Sequence, residues 1–290
     1  MIKKIAIIGA GGDMGNWFSK YFNKKKDKIL SLYDIRPDSI KKPTNNNTII
    51  CKNISECVET ADLVLVCVPV KNTPQIIEEC ASEMKSGAIL AEISSVKYRS
   101  FRALKKVPTD IIPLCIHPMF GPGRRDLKQM KILLIPVSNE QNELKILNNL
   151  FDRAIITIVP NSNIHDKLIA IVLGLTHYVN IIFANFLSKQ DFPYLSKVAG
   201  TSFKMQSLLI TSILTEQPAL VTDLLIENRS VKEYIHSYLK EADRVTKMIF
   251  EKNGVDLRTK YMNTKTILQR QQNLQLSYKR MYDIIEKISA

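Results

Sequence analysis

The chain has 290 residues, a length that favours two domains over one compact core. Its composition, 45% hydrophobic and 24% charged, is ordinary for a soluble globular protein. No apolar run reaches the ~18 residues that a membrane span needs, so we expect no membrane association. The five cysteines form no CxxC pair, which indicates reduced thiols, a cytoplasmic location and no metal site.

The formal net charge of +13 raises the question of nucleic acid as a partner. The lysines are scattered, however, and no recognisable nucleic-acid-binding module accompanies them, so we expect no nucleic-acid partner. The excess of basic residues would equally steer an anionic dinucleotide or dicarboxylate inward, or it is simply a solvated basic surface.

In the first half of the chain, short apolar segments alternate with helical patterns such as 14–23, 73–84 and 140–151. Several of these segments are continuous Val, Ile and Leu runs, which are typical of strands covered by helices on both faces. The succession predicts a doubly wound, mostly parallel sheet, and therefore an α/β Rossmann domain, over residues 1–160. The predicted strands are 4–8, 29–33, 48–51, 63–68, 88–93, 111–116, 132–136 and 155–159.

Residues 161–290 show no strand-like alternation, and we expect an all-α domain there. The first helical stretch is apolar on more than one face, which predicts burial between the domains, between subunits, or both. The predicted helical stretches are 164–187, 194–214, 219–250 and 259–288.

A glycine-rich turn follows the first predicted strand and opens a helix, as in dinucleotide-binding sites. Its glycines let the backbone come close to a pyrophosphate, whose charge then sits at the helix N-terminus. The spacing of Gly9, Gly11 and Gly15 is one residue longer than G-x-G-x-x-G, and Gly12 could shift the register. The predicted cofactor contacts in this turn are Gly9, Gly11, Gly12, Asp13, Met14 and Gly15.

The second and fourth predicted strands end in further candidate cofactor residues. Asp34 stands about 20 residues beyond the turn, where a carboxylate binds the adenosine ribose of NAD and repels the 2′-phosphate of NADP. NAD is therefore the expected cofactor, although the nearby Arg36 leaves NADP open, and a simple turn before Pro37 is the structural alternative. Val68 and Pro69 are expected to lie against the cofactor, because ligands bind at the carboxyl ends of the strands.

Two more strand ends carry polar groups, in the segments 92–97 and 116–122. Both loops are predicted to open toward the nicotinamide. His117 could accept a proton from a substrate alcohol while hydride leaves its carbon. Ser95 could orient that histidine or the same hydroxyl.

These segments resemble those of prephenate dehydrogenases. Residues 117–122 resemble the family's HPMFGP signature, and residues 95–97 match its S-V-K element. Residues 174–178 resemble the second histidine segment, and 164–167 resemble the His-Asp that begins the first C-terminal helix. The resemblance covers nearly the whole chain and includes the order of the domains.

The resemblance implies NAD(P)-dependent oxidation of prephenate to 4-hydroxyphenylpyruvate and CO2, a step toward tyrosine. It implies that His117 accepts the hydrogen bond or proton of the ring hydroxyl and that Ser95 binds the same hydroxyl or His117. It also implies that His177 faces the substrate from the helical domain, residues 161–290, and that this domain forms a homodimer. For His165, a capping or packing role is an equally good interpretation.

One position departs from the family pattern. Members commonly carry an arginine that grips a substrate carboxylate, and Ser212 stands at that place. Lys204, Arg124 or Arg125 could substitute, although each is individually better explained as a solvated charge. The predicted substrate-binding residues are Lys97, Lys204, Arg124 and Ser212.

The missing arginine leaves the substrate open. Arogenate or an amino-substituted prephenate is an alternative to prephenate, and a ligand-sensing Rossmann protein without catalysis is an alternative of another class. The presence of Ser95, His117 and the glycine turn together favours the enzyme.

Overall fold

The computed structural model describes residues 2–25, 27–41, 47–124 and 126–289. The chain forms two compact units. The first comprises Met1–Ile169 and Thr222–Arg229, and the second comprises Ala170–Val221 and Ser230–Ala290.

The first unit contains an eight-stranded sheet in the order β3-β2-β1-β4-β5-β6-β7-β8. Strands β1 to β6 pair in parallel, β6 and β7 pair antiparallel, and β7 and β8 pair in parallel again. All eight predicted strands are therefore confirmed, with ends that differ by a few residues. The strands are β1 Lys4–Ile8, β2 Ile29–Tyr33, β3 Thr48–Ile50, β4 Leu63–Val66, β5 Ile89–Glu92, β6 Ile112–Pro118, β7 Lys131–Leu134 and β8 Ile155–Ile158.

Helices cover both faces of this sheet, which explains the continuous apolar runs. Successive residues of a strand point to opposite faces. Ile5 and Ile7 thus pack in the cluster that contains the aromatic side chains of α1, while Ala6 and Ile8 pack in the cluster on the other face. The helices of the first cluster are α1 Asp13–Asn23 and α5 Glu140–Leu150, and those of the second are α2 Ile54–Val58, α3 Thr73–Glu83 and α4 Tyr98–Leu104.

The parallel order brings the carboxyl ends of β1 to β6 to one edge of the sheet. The glycine turn follows β1, Asp34 follows β2, and Val68 follows β4 shortly after its end. Glu92 ends β5, and His117 is the penultimate residue of β6. All of the predicted cofactor elements and His117 therefore lie along the same edge.

The second unit is helical throughout its described residues. It begins with a π-helical segment, Ala170–Leu175, that follows α6 Ser162–Ile169 of the first unit. The helix α10 Pro218–Glu227 is shared by the two units, since residues from Thr222 onward belong to the first. The remaining helices are α7 Thr176–Leu187, α8 Phe192–Val198, α9 Thr201–Ile213, α11 Val231–Phe250, α12 Gly254–Gln271 and α13 Leu274–Ser289.

Three of the helical stretches predicted as continuous are each divided into two helices. The stretch 194–214 breaks at Gly200, which has extended backbone and stands before the first residue of α9. The stretch 219–250 breaks at residues 228–230, and 259–288 breaks at Gln272, also extended. Asn273 then caps α13, since its Oδ1 atom accepts a hydrogen bond from the Leu276 amide at 3.0 Å. The helix α12 also begins earlier than expected, at Gly254.

One helical run, 162–187, has the length and apolar composition of a membrane span, and 28% of its most apolar stretch is buried. The core helix of a soluble protein passes the same test. This run is the helix that the sequence pattern assigned to burial between domains or subunits.

Candidate active site

The glycine turn is shaped by close backbone contacts. Gly9 has a φ of 84°, and a Cβ atom there would lie 2.5 Å from the Cys67 carbonyl oxygen. A Cβ atom on Gly15 would lie 2.1 Å from the Gly9 carbonyl oxygen, so only glycine lets α1 pack this closely on the end of β1. Gly12 is the N-cap residue of α1, where a Cβ atom would be 3.4 Å from its nearest neighbour.

These contacts decide the register that the sequence left open. Gly15 has the role of the last glycine of G-x-G-x-x-G, which is close packing of helix on strand. Gly12 stands three residues earlier, at the place of the glycine that lies beside the pyrophosphate, and Ala10 occupies the first place of the motif. In this register Gly12 and Gly15 fill the last two glycine places, Ala10 stands at the first, and Gly9 precedes the motif. Binding of a dinucleotide at this turn stays a prediction.

Asp34 is held at the end of β2 by two backbone amides. Its Oδ2 atom accepts a hydrogen bond from Gly11 at 2.9 Å, and its Oδ1 atom accepts one from Arg36 at 3.0 Å. Only 8% of the residue is exposed. Each carboxylate oxygen keeps a further lone pair, so the group can still accept hydrogen bonds from two ribose hydroxyls.

The other predicted cofactor contacts lie beside this turn or at the end of β4. Asp13 is exposed in the first turn of α1, and Met14 is half-buried behind it. The Val68 side chain reaches within 3.1 Å of the position that a Gly9 Cβ atom would take. Pro69 is exposed, and its carbonyl oxygen accepts the hydroxyl of Thr73 at 3.1 Å, which anchors the start of α3.

His117 is 3% exposed and forms one end of a line of hydrogen-bonded groups. Its Nδ1 atom lies 3.0 Å from Nε2 of His165, and Nδ1 of His165 lies 2.8 Å from Oδ1 of Asp166. The backbone amides of Lys97 and Tyr98 donate to the two carboxylate oxygens of Asp166 at 2.8 and 3.0 Å. The line thus joins the end of β6, the helix α6 and the start of α4.

A buried ion pair lies beneath this line. The Lys97 ammonium is fully buried, 2.7 Å from Oε1 of Glu92, and donates to the Ile116 carbonyl oxygen at 2.6 Å. The hydroxyl of Ser94 donates to the other oxygen of Glu92 at 2.6 Å, and the thiol of Cys115 donates to Oε1 at 3.0 Å. Every group of this network has a partner, so it ties the ends of β5 and β6 together.

The surroundings disfavour the charged form of both histidines. Burial, above all, holds the pKa of His117 well below its ordinary value of 6.5. A proton on His165 or the ammonium of Lys97 would repel a charge on His117 and lower that pKa further. Burial also lowers the pKa of His165, and it outweighs the hydrogen bond to Asp166, which raises that pKa. Near neutral pH both imidazoles are therefore neutral, and His117 is able to accept a proton.

Ser95 is half-buried, and no hydrogen bond joins it to His117 among the described residues. The hydroxyl that enters the buried network is that of its neighbour, Ser94. Sequence reasoning missed Ser94 and Glu92, and it left His165 undecided. The adjacent pair His165-Asp166 was the available signal, but its contact with His117 requires the fold.

His177 belongs to the helical unit, and its exposed fraction is 6%. Its Nδ1 atom donates to the Leu173 carbonyl oxygen at 2.7 Å, and its Nε2 atom lies 3.3 Å from Oε1 of Glu216. It stands one residue after the first residue of α7, directly beyond the π-helical segment. Such segments are frequent at functional sites.

The structure places the predicted substrate-binding residues in different environments. Lys97 is buried in the ion pair described above, which corrects its assignment as a residue that binds substrate directly. Lys204 and Arg124 are exposed. The Ser212 hydroxyl donates to the Leu209 carbonyl oxygen of its own helix at 2.8 Å. Arg125 lies outside the described residues.

Two family profiles match the sequence along nearly its whole length. Residues 18–159 match the nucleotide-binding domain of prephenate dehydrogenase, and residues 161–286 match the prephenate dehydrogenase dimerization domain. The chain belongs to the prephenate dehydrogenase family. The resemblance inferred from the histidine signature is therefore confirmed, as are the Rossmann and helical parts of the chain.

Two individual relatives are similar to this chain over most of its length. The probable arogenate/prephenate dehydrogenase of Methanocaldococcus jannaschii is 28% identical over 262 residues, 86% of this chain and 57% of that protein. The T-protein of Haemophilus influenzae is 23% identical over 246 residues, 83% of this chain and 61% of that protein. This chain spans less than two thirds of the length of both relatives.

A solved structure shares the fold. Prephenate dehydrogenase from Aquifex aeolicus, in complex with hydroxyphenyl propionate and NAD+, superposes with a TM-score of 0.74 at 20% identity. The match covers 93% of this chain and 98% of that one.

Proposed function

We propose that this protein is an NAD-dependent dehydrogenase that oxidises prephenate to 4-hydroxyphenylpyruvate and CO2. The observation that carries the proposal is the position of His117. It is neutral and buried, and its Nδ1 atom is hydrogen-bonded to His165. It lies on the same edge of the parallel sheet as the glycine turn and Asp34. Family membership supports the choice of substrate.

The residues at this edge fit an adenine dinucleotide. Gly12 and the N-terminus of the 11-residue helix α1 would hold the pyrophosphate. Asp34 would accept hydrogen bonds from the adenosine ribose, and its charge would oppose a 2′-phosphate, so NAD is preferred over NADP. When bound, NAD supplies the hydride acceptor. From β1 to β6 is three strand spacings, about 14 Å, which leaves the end of β6 for the substrate.

His117 performs the proton chemistry in this proposal. As hydride leaves C4 of the prephenate ring, the hydroxyl on that carbon becomes a carbonyl and its proton passes to Nε2 of His117. The bond to the ring carboxylate then breaks, CO2 leaves, and the electron pair aromatises the ring. The carbonyl takes a proton to become the phenol. Because aromatisation drives this second step, the protein's main task is to hold the hydroxyl against His117. We retain Ser95 as a candidate second contact to that hydroxyl.

The carboxylates of the substrate need a cation that the family arginine does not supply here. Ser212 cannot replace it, because its hydroxyl is used by its own helix and carries no charge. Lys204 and Arg124 remain the candidates, and the role of His177 stays a prediction. Arogenate differs from prephenate in carrying an amine where prephenate has its side-chain ketone, and the name of the M. jannaschii relative includes both substrates. It is the second candidate substrate.

We also propose that the protein is a homodimer formed by the helical unit. Exposed apolar side chains are frequent on its described helices, for example Ile171 at 43%, Ile182 at 50% and Phe186 at 58%. Few of its described apolar side chains are buried, as expected when part of the core is completed by a second copy. The buried ones are Ala170, Leu187, Ile210, Ile213 and Val231. Light scattering should give twice the 33.0 kDa of the chain.

The experiment that tests the activity is the appearance of reduced-nicotinamide absorbance. It should be measured with prephenate, with arogenate and without substrate, each with NAD and with NADP. We expect turnover with prephenate and NAD, and product analysis should show 4-hydroxyphenylpyruvate. No turnover with prephenate under any cofactor would reject the proposal, whereas turnover with arogenate alone would reassign the substrate.

A further inference from the structure

We infer that His165 and Asp166 are positioning residues that hold His117 in the tautomer whose Nε2 atom can accept a proton. The inference rests on the proposed role of His117 as acceptor. It follows from the order of donors and acceptors along the buried line that ends at His117.

The order starts at Asp166. Its Oδ1 atom accepts the Lys97 amide at 2.8 Å and its Oδ2 atom accepts the Tyr98 amide at 3.0 Å. Backbone amides can only donate, so both oxygens of Asp166 act as acceptors. The Nδ1 atom of His165, 2.8 Å from Oδ1, must therefore carry the hydrogen of that contact.

The hydrogen on Nδ1 of His165 fixes which atoms donate and which accept between the two histidines. A neutral His165 that is protonated at Nδ1 has a lone pair at Nε2. This lone pair lies 3.0 Å from Nδ1 of His117, so that atom must be the donor. A neutral His117 that is protonated at Nδ1 has its own lone pair at Nε2. Which ring nitrogen bears the proton is set by the bond that the other one makes.

The charges that face the two histidine rings favour neutral imidazoles. Burial and the buried ammonium of Lys97 disfavour a positive charge on either histidine. Asp166 faces His165, and Glu92 lies farther along, already paired with Lys97 and with the Cys115 thiol. Of these charged groups, only Asp166 is hydrogen-bonded to one of the two histidine rings. Once His117 has taken the substrate proton, the hydrogen bond from its Nδ1 atom to His165 lets Asp166 stabilise the new charge.

Nitrogen NMR of the histidine rings tests the tautomer without any substrate. The chain has four histidines, so ¹⁵N-histidine labelling gives a spectrum that single substitutions can assign. We expect His117 with a protonated Nδ1 and an unprotonated Nε2 in the wild type. A wild-type His117 that is protonated at Nε2 would overturn the inference, even if every variant failed to fold.

The variant His165→Phe keeps a ring but removes the acceptor. We expect His117 to lose its single Nδ1-protonated tautomer. We expect kcat to fall about 10–100-fold, the scale on which residues that orient metal-bound histidines act, with a smaller change in KM. The matched control is His236→Phe, at an exposed histidine of α11. It should leave the tautomer of His117 and kcat unchanged. An unchanged tautomer in a folded His165→Phe protein would contradict the inference.

The two proposals fail separately. If the wild type shows the expected tautomer but oxidises neither prephenate nor arogenate, the positioning of His117 stands and the proposed function falls. If the wild type oxidises prephenate but His117 is protonated at Nε2, the function stands and the positioning role falls.

Discussion

The Nδ1 atom of His117 lies 3.0 Å from the Nε2 atom of His165, and both rings are buried. These residues are 48 positions apart, and they meet because β6 ends where α6 begins its first turns. Asp166 continues the contact to the backbone amides of Lys97 and Tyr98. The acceptor proposed for catalysis, at the end of β6, is therefore fixed by groups from α6 and from the start of α4.

Activity should decline at acid pH, and the decline should be centred below the pKa of an ordinary histidine. Protonation of His117 removes its lone pair, so kcat/KM falls as the pH drops through the pKa of this residue. A histidine in water would give a limb near 6.5, whereas burial and the nearby ammonium of Lys97 place the pKa of His117 well below that value. Initial rates with prephenate across the acid range would check this. A limb centred at 6.5 or above would contradict it.

The free energy of unfolding should also fall at acid pH, because the same two histidines must take up protons. The pKa of His117 and that of His165 are lowered in the folded protein, so the unfolded chain binds more protons below its histidine pKa of ~6.5. The free energy of unfolding is therefore highest above that pH and is lost as the pH falls toward the folded values. Between neutral and mildly acid pH, the melting temperature of the double variant His117→Phe, His165→Phe should drop less than that of the wild type. The control His236→Phe should match the wild type, and an equal drop in all three proteins would rule this linkage out.

The preference for NAD should depend on Asp34. Replacing it with Ser removes the charge that would oppose a 2′-phosphate, so the ratio of kcat/KM for NAD to that for NADP should narrow or reverse. The matched control is Asp38→Ser, an exposed carboxylate in the same loop, which should leave the ratio unchanged. Equal kcat/KM for both cofactors in the wild type would refute the prediction, whatever the variants do.

Lys97 should prove to be a structural residue. Substituting Met leaves the buried carboxylate of Glu92 without its ammonium partner, a change that usually costs about 3–5 kcal/mol of stability. The double variant Lys97→Met, Glu92→Gln should recover part of the loss. The exposed Lys204→Met serves as the control and should shift stability by no more than about 0.5 kcal/mol. Urea unfolding measures all three. A stable Lys97→Met protein with a raised KM for prephenate would instead restore Lys97 as a substrate ligand.

Much of the architecture is readable from local pattern. The central strands follow from apolar runs whose residues are covered on both faces, whereas the edge strands β3 and β8 are apolar but largely exposed. The glycine turn follows from a strand and a helix on either side of it. The ends of helices were harder. Extended backbone at Gly200 and Gln272, and the Asn273 side-chain cap, interrupt stretches that otherwise keep helical periodicity.

The candidate site was only partly predictable, because its contacts are between distant residues. His117 stands out by its place at a strand end and by its motif. The roles of His165 and Glu92 arise from packing of α6 and β5 against β6, which no spacing in the sequence reports. Lys97 has the same sequence context as a substrate-binding lysine, and only its burial shows that the ammonium is already paired.

The most direct test of the account compares His117→Asn with the wild type in the oxidation of prephenate. If His117 accepts the ring hydroxyl's proton as hydride leaves, its contribution arises mainly in the transition state. The substitution should lower kcat by about 10²–10⁴-fold, with a much smaller change in KM. NADH affinity, followed through the fluorescence of Trp17, the one tryptophan of the sequence, should be retained. A variant that keeps the wild-type kcat but loses cofactor affinity would contradict the account, because His117 would then support the cofactor and not the proton transfer.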